Sequence, residues 1–216
     1  MADNLARAQL ARAARQLNRA GGAALPALIL LTDDERLPDP APAIRALPPG
    51  SLVVLRSRDR ARRIALVAWL ASVFRERRLR WIIAGDALLA AKSGADGVHF
   101  PEHEIALAAR WRVRRPQWLI TCAAHSLRAS ARASRAGADA ILLAPVFATA
   151  SHPVRAHLGN MRTRLIAKAA PLPVYALGGL DSLTARRLAG AQLAGLAAIG
   201  GLSGSAGRCA PAATTV

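Results

Sequence analysis

Cysteine, lysine, aromatics and acidic residues are all scarce in this 216-residue sequence, and each scarcity excludes something. Cys122 and Cys209 are too few for a disulfide framework or a thiolate metal cluster, and they suit a reducing cytoplasm. Aromatics make up 4% of the chain against a hydrophobic fraction of 53%, so aliphatic side chains and alanine must pack the core. No apolar run approaches the ~18 residues that a membrane-spanning helix needs, so no membrane partner is expected. Asp and Glu number 13 against 30 Lys and Arg, giving a formal charge of +17. Lys92 and Lys168 are the only lysines, so this charge is almost entirely arginine. The arginines are spread over many helix-like segments, without a helix-turn-helix, zinc-finger or RNP signature, and no basic run interleaved with aromatics is expected. They read as solvated helix faces with some attraction for anions rather than as a nucleic-acid surface.

What is there is a regular alternation. Beyond residue 25, short apolar runs bounded by turn residues read as strands: Ala27–Leu31, Leu52–Leu55, Trp81–Ala84, Gly97–Phe100, Leu119–Ala123, Ala140–Ala144, Val174–Leu177 and Leu196–Ile199. Most are continuous, as expected of parallel strands covered on both faces. Between them, Asp59–Arg78 places Ile64, Val67, Leu70, Val73 and Phe74 on one helical stripe. Pro38–Leu47, Leu158–Ala169 and Asp181–Ala189 read as further helices, and Asp86 reads as the N-cap of a helix over 87–93. Gly94-Ala95-Asp96, Gly137-Ala138-Asp139 and Gly190-Ala191-Gln192 repeat one joint, in which glycine closes a helix before the next strand.

Eight such units predict an α/β fold, a (β/α)8 TIM barrel, over residues 25–202. A doubly wound open sheet is the alternative, but it usually brings a glycine-rich first turn that TDDERLPDP lacks. Residues 1–24 form an amphipathic leader helix, ended by Gly21-Gly22, and a linker. Residues 203–216 read as an irregular tail, so the eighth helix is short or missing. The apolar flank this leaves must be covered by the leader helix or by a partner subunit in a homo-oligomer.

In this architecture, chemistry sits at the C-terminal strand ends and the loops after them. The pairs Gly178-Gly179 and Gly200-Gly201 end strands seven and eight in matching sequences, where backbone N–H groups can bind phosphate. Arg56 and Arg58 follow strand two, and a guanidinium can grip phosphate with two parallel hydrogen bonds. His99, His125 and His152 stand at consecutive strand ends, without the spacing of a metal centre.

The motifs IIAGDALLAAKSGADGVHF, AAHS with AGADAILLAPVFATASHP, and VYALGGL with LAAIGGL resemble the thiamine phosphate synthase / TenI family from about Leu28 to Leu202. The resemblance implies a barrel of thiamine biosynthesis. Synthases of the family join a pyrimidine pyrophosphate to a thiazole phosphate, using magnesium, and TenI-type members instead shift a proton around the thiazole ring. Carried over, it makes Arg56 and Arg58 pyrophosphate-binding residues. It makes Gly178, Gly179, Ile199 and Gly200 the thiazole-phosphate loops, with Thr149, Ser151 and His152 contributing from the loop after strand six. His125 aligns with the histidine that tautomerases are thought to use as acid and base. Glu104 falls on one magnesium aspartate, while Ala84-Gly85 fall on the synthases' Asn-Asp pair, Ala123 on a serine and His152 on a lysine. Three readings stay open: a synthase, a tautomerase-like enzyme, and a non-catalytic binder of thiamine phosphate or its precursor.

Overall fold

A computed structural model describes residues 2–148 and 156–203. Eight parallel strands close into a barrel in sequence order: β1 (Leu28–Leu31), β2 (Leu52–Leu55), β3 (Arg80–Ala84), β4 (Gly97–Phe100), β5 (Leu119–Ala124), β6 (Ala140–Leu143), β7 (Val174–Leu177) and β8 (Gly195–Ala198). Each lies within one residue of its apolar run at either end. Closure is made where β8 pairs with β1, with Leu28 opposite Leu196 and Leu30 opposite Ala198. Around the barrel lie α1 (Ala2–Gly21), α2 (Ala41–Arg45), α3 (Arg60–Arg77), α4 (Ala87–Ser93), α5 (Leu107–Arg114), α6 (Leu127–Arg135), α7 (Gly159–Ala169) and α8 (Gly200–Ser203).

Alternation along the strands divides the core into two layers. Ile29, Leu52, Val54, Ile82, Leu142 and Tyr175 fill the barrel interior, while Leu30, Val53, Ile83 and Val98 face the helices. The single tyrosine, Tyr175, is buried there, and its hydroxyl donates to the Pro26 carbonyl at 2.7 Å. Burial pushes that phenol far above its usual range.

The repeated joints behave as expected and add something. Gly94, Gly137 and Gly190 take φ of +74°, +79° and +77°, the left-handed region that favours glycine. The aspartates that follow clip each joint to the preceding strand: Asp96 accepts from the Trp81 N–H at 2.8 Å, and Asp139 from the Ile120 N–H at 2.7 Å. Gln192 occupies that place in the third joint and is exposed.

Several expectations change. Ile64 is 42% exposed, and Leu66 takes its place on the buried stripe of α3 with Val67, Leu70, Val73 and Phe74. The segment expected as a helix over Asp181–Ala189 contains only a tighter 3₁₀ turn, Thr184–Leu188. One basic run does interleave aromatics, Arg110 to Trp118. Its rings pack within the protein: Trp111 and Trp118 stack at 5.3 Å, with Arg114 over the Trp111 ring and Arg115 over the Trp118 ring.

The described part of α8 is a single turn, and the flank it leaves is covered from the other end of the chain. Helix α1 lies against β8, the 184–188 turn and α8, burying Leu10, Ala14 and Leu17. Asn18 fastens the far end of α1, donating to the carbonyls of Ala23, Leu25 and Ala194 at 2.7–3.1 Å. Gly21 lets the helix approach closely, because a Cβ there would stand 2.4 Å from the Leu193 oxygen.

Candidate active site

Thr32-Asp33-Asp34 directly follow β1, and the expected anion-binding arginine is held by this segment. The Thr32 hydroxyl accepts from the Arg56 N–H and donates to its carbonyl, both at 2.8 Å. The Arg56 guanidinium pairs with the Asp33 carboxylate, which Arg36 also grips through Nε at 3.2 Å and Nη2 at 2.9 Å. Burial alone would raise the Asp33 pKa, but the Arg36 hydrogen bonds and the charges of Arg36 and Arg56 hold it well below the usual carboxylate range. Arg58 is exposed, and its backbone N–H donates to Asp34 at 3.1 Å. The same Asp34 carboxylate accepts from Ser57 at 3.0 Å and Arg62 at 2.9 Å. Arg56 and Arg58 thus share one edge of the mouth, the first with a built-in counter-ion.

His99 projects into the barrel, buried, with Nδ1 at 2.9 Å from the Thr121 hydroxyl. Burial and the positive charge of Arg56 lower its pKa from 6.5 to about 4, so the ring is neutral near pH 7. It is a satisfied interior histidine.

His125 is different. It lies exposed on the turn from β5 to α6, ahead of Ser126, whose hydroxyl caps α6 by accepting the Ala129 N–H at 3.2 Å. Its Nδ1 is hydrogen-bonded to the Ala144 carbonyl at the end of β6. A carbonyl can only accept, so Nδ1 donates in this bond, which leaves Nε2 as the ring nitrogen free to exchange a proton.

The β7 loop packs on the same segment. Val146 and Phe147 donate to the carbonyls of Leu177 and Gly178 at 2.9 and 3.1 Å. Gly178 and Gly179 take φ of +99° and +64°, and a Cβ at Gly179 would lie 2.4 Å from the Ala148 oxygen. Gly201 similarly approaches Leu180, while a Cβ on Gly200 would meet nothing within 4 Å. His125, Gly178 and Gly179 therefore converge on residues 144–148, and Ile199 and Gly200 directly follow β8, the strand beside β7. Thr149, Ser151 and His152 lie outside the described residues.

The positions that the resemblance assigns to magnesium meet its needs only in part. Mg²⁺ is held by oxygen donors, usually carboxylates and substrate phosphates. Gly85 supplies no side chain and sits at φ +68°. Asp86 caps α4, its Oδ1 accepting from the Leu89 N–H at 2.9 Å, while Oδ2 faces Arg60 at 3.2 Å and Arg63 at 3.7 Å. Glu104 lines a cavity of about 280 Å³ between α4 and α5 with Asp86, Arg110 and Arg114. Its carboxylate stands 3.7 Å from His103. Among the described residues, no group of three or more His, Cys, Asp or Glu side chains is arranged to hold a metal. Asp33 and Glu102 stand at strand ends in the sequence, but nothing there assigned either of them a role. The signal for Asp33 was an acidic pair directly after a strand, in a chain where acids are scarce.

Comparison with known proteins agrees with the barrel fold. The sequence pattern of a family described as thiamine monophosphate synthase matches residues 28–202. A putative thiamine-phosphate synthase 2 of Aquifex aeolicus is 40% identical over 86 residues, 40% of this chain and 46% of that protein. A thiamine-phosphate synthase of Methanoculleus marisnigri is 32% identical over 124 residues, covering 56% of this chain and 59% of its own. These alignments thus span about half of each relative's length. A thiamine-phosphate synthase of Chlorobium phaeobacteroides aligns more fully, at 25% identity over 85% of this chain and 91% of its own. In fold, the chain resembles a thiamine phosphate pyrophosphorylase from Pyrococcus furiosus, with a TM-score of 0.68 at 23% identity, over 82% and 88% of the two chains. Among the described residues no helix is long and apolar enough to cross a membrane. With its barrel, its strand-end motifs and a match over most of its length, the chain belongs to the thiamine monophosphate synthase (TMP-TENI) family.

Proposed function

We propose that this chain is a thiamine-biosynthesis enzyme that binds thiazole phosphate across the ends of β6, β7 and β8, and that His125 moves a proton on the bound ring. The observation that carries the reading is the pairing of His125 Nδ1 with the Ala144 carbonyl, beside the glycine loops. In the proposed step, Nε2 takes a proton from one ring carbon while the electron pair moves into the ring. The imidazolium then returns a proton at another position, so the net proton count is unchanged. The backbones of Gly178, Gly179, Ile199 and Gly200 hold the phosphate, with Thr149, Ser151 and His152 assigned to the same task. Arg56 and Arg58 supply positive charge at the opposite edge of the mouth.

The second reading is the synthase reaction, favoured by the names of the relatives. It joins a pyrimidine pyrophosphate to thiazole phosphate with loss of pyrophosphate. Arg56 and Arg58 would hold that pyrophosphate, but for the metal-assisted form Gly85 offers no donor and Asp86 is already engaged by Arg60 and Arg63, which leaves Glu104. Calorimetric titration separates the readings. Thiazole phosphate is expected to bind equally well with magnesium or with a chelator, and pyrimidine pyrophosphate weakly. His125→Ala should bind thiazole phosphate and lose ring-proton exchange, followed by NMR in deuterated water. Magnesium-dependent formation of thiamine phosphate would establish the synthase instead. Tight binding with no turnover of either kind would make the chain a binding protein.

A further inference from the structure

We infer that Glu102, braced by Arg132, is a positioning residue for His125; this rests on the reading of His125 as the acid–base group. Glu102 lies in the short turn Glu102–Glu104 after β4, one strand away from His125. Its Oε2 accepts the His125 backbone N–H at 3.0 Å. Its Oε1 accepts from Arg132 of α6 at 3.2 Å. The two carboxylate oxygens therefore have separate tasks, one on the histidine and one on the helix that the histidine's turn begins.

His125 needs such a hold because the turn from β5 to α6 supplies only part of its orientation. Ser126 fixes the chain after it through the α6 cap, and Ala144 fixes the ring through Nδ1. Glu102 fixes the main chain before Ser126, and so sets where the Cα–Cβ bond points. A shift there pulls Nδ1 away from Ala144, and the ring then samples both tautomers. A catalytic side chain held by a supporting group of this kind keeps its geometry through turnover. Arg132 acts one step further out by keeping the flexible Glu102 side chain directed at the turn.

The test compares Glu102→Ala, Glu102→Gln and Arg132→Met in the full chain. Two readouts are used: steady-state kinetics of thiazole proton transfer, and ¹⁵N NMR of the labelled histidine rings. Glu102→Ala is expected to lower kcat about tenfold, less than loss of the imidazole itself, with KM changed less than about twofold. Its His125 signals should move from the Nδ1–H form toward a mixture of tautomers. Glu102→Gln retains an oxygen acceptor and should recover most of both readouts, while Arg132→Met should shift both in the direction of the alanine variant. Wild-type ring signals and kcat in Glu102→Ala would overturn the proposal. So would a glutamine variant no better than alanine, or kcat losses that merely track thermal stability across all three. If the wild type moves no thiazole proton, the functional reading fails, and the ring signals alone still decide whether Glu102 positions His125.

Discussion

His99 lies buried against Thr121, and burial first, then the Arg56 charge, brings its pKa from 6.5 down to about 4. The unfolded chain takes up this proton near 6.5 and the folded chain only near 4, so this contribution leaves stability intact above 6.5 and lowers it through that window. The shift corresponds to on the order of 3 kcal/mol. His99→Gln removes the titration and keeps a hydrogen-bonding partner for Thr121. Its unfolding free energy in urea should therefore decline less across the window than that of the wild type; equal slopes would place the acid sensitivity elsewhere. Asp33 titrates in another range. Its carboxyl is held below the ordinary 3.8 by Arg36 and Arg56 against the effect of burial, so its contribution is complete above 3.8 and is lost only as pH falls through the folded value. Asp33→Asn should cost about 2 kcal/mol near neutral pH, measured by urea unfolding. That gap should persist while His99 titrates and close only in stronger acid.

At the scale of elements, the two glycine loops can be told apart by substitution. Gly179 combines φ +64° with a Cβ position 2.4 Å from the Ala148 oxygen and 2.8 Å from the Phe147 Cβ. Gly179→Ala should therefore displace the β6 loop, costing about 1–3 kcal/mol and reducing thiazole phosphate affinity at the same time. A Cβ on Gly200 meets nothing within 4 Å. Gly200→Ala should keep its stability within about 0.5 kcal/mol, and a fall in affinity by calorimetry would then report contact with the phosphate. Unchanged affinity would move the phosphate off this backbone. The strands were legible because buried parallel strands leave continuous apolar runs between turn residues, and the joints because left-handed closure favours glycine. Asp86 was legible as a cap because a cap is local: it accepts from Leu89, three residues on. The hold of Asp33 on Arg56 and of Glu102 on His125 was not, since each spans 23 residues and leaves no periodic trace. Ile64 misled for a related reason: apolar spacing gives a stripe, but the neighbouring elements decide where its edge lies.

On the scale of the whole molecule, the barrel is completed by chain from both of its ends. Leu10 and Leu17 of α1 are buried on the flank that β8, α8 and the 184–188 turn would otherwise expose. Burying a leucine contributes about 1.5–3 kcal/mol, so these two side chains alone are comparable with much of the ~5–15 kcal/mol net stability of a typical domain. Removing Asn18 with them leaves the Ala194 carbonyl, which it holds at 2.7 Å, without that donor. A chain lacking residues 1–22 should therefore unfold at much lower urea concentration than the full chain. It should also bind an apolar dye and self-associate in sedimentation experiments, because the uncovered surface is apolar. Adding a peptide of residues 1–22 should reverse the dye binding, which separates loss of a cover from general misfolding. Leu10→Ala, a gentler change in the intact chain, should cost about 2–5 kcal/mol without self-association. A truncated protein that stays monomeric at full stability would show that α1 is an appendage, and that the barrel closes its last flank within residues 23–216.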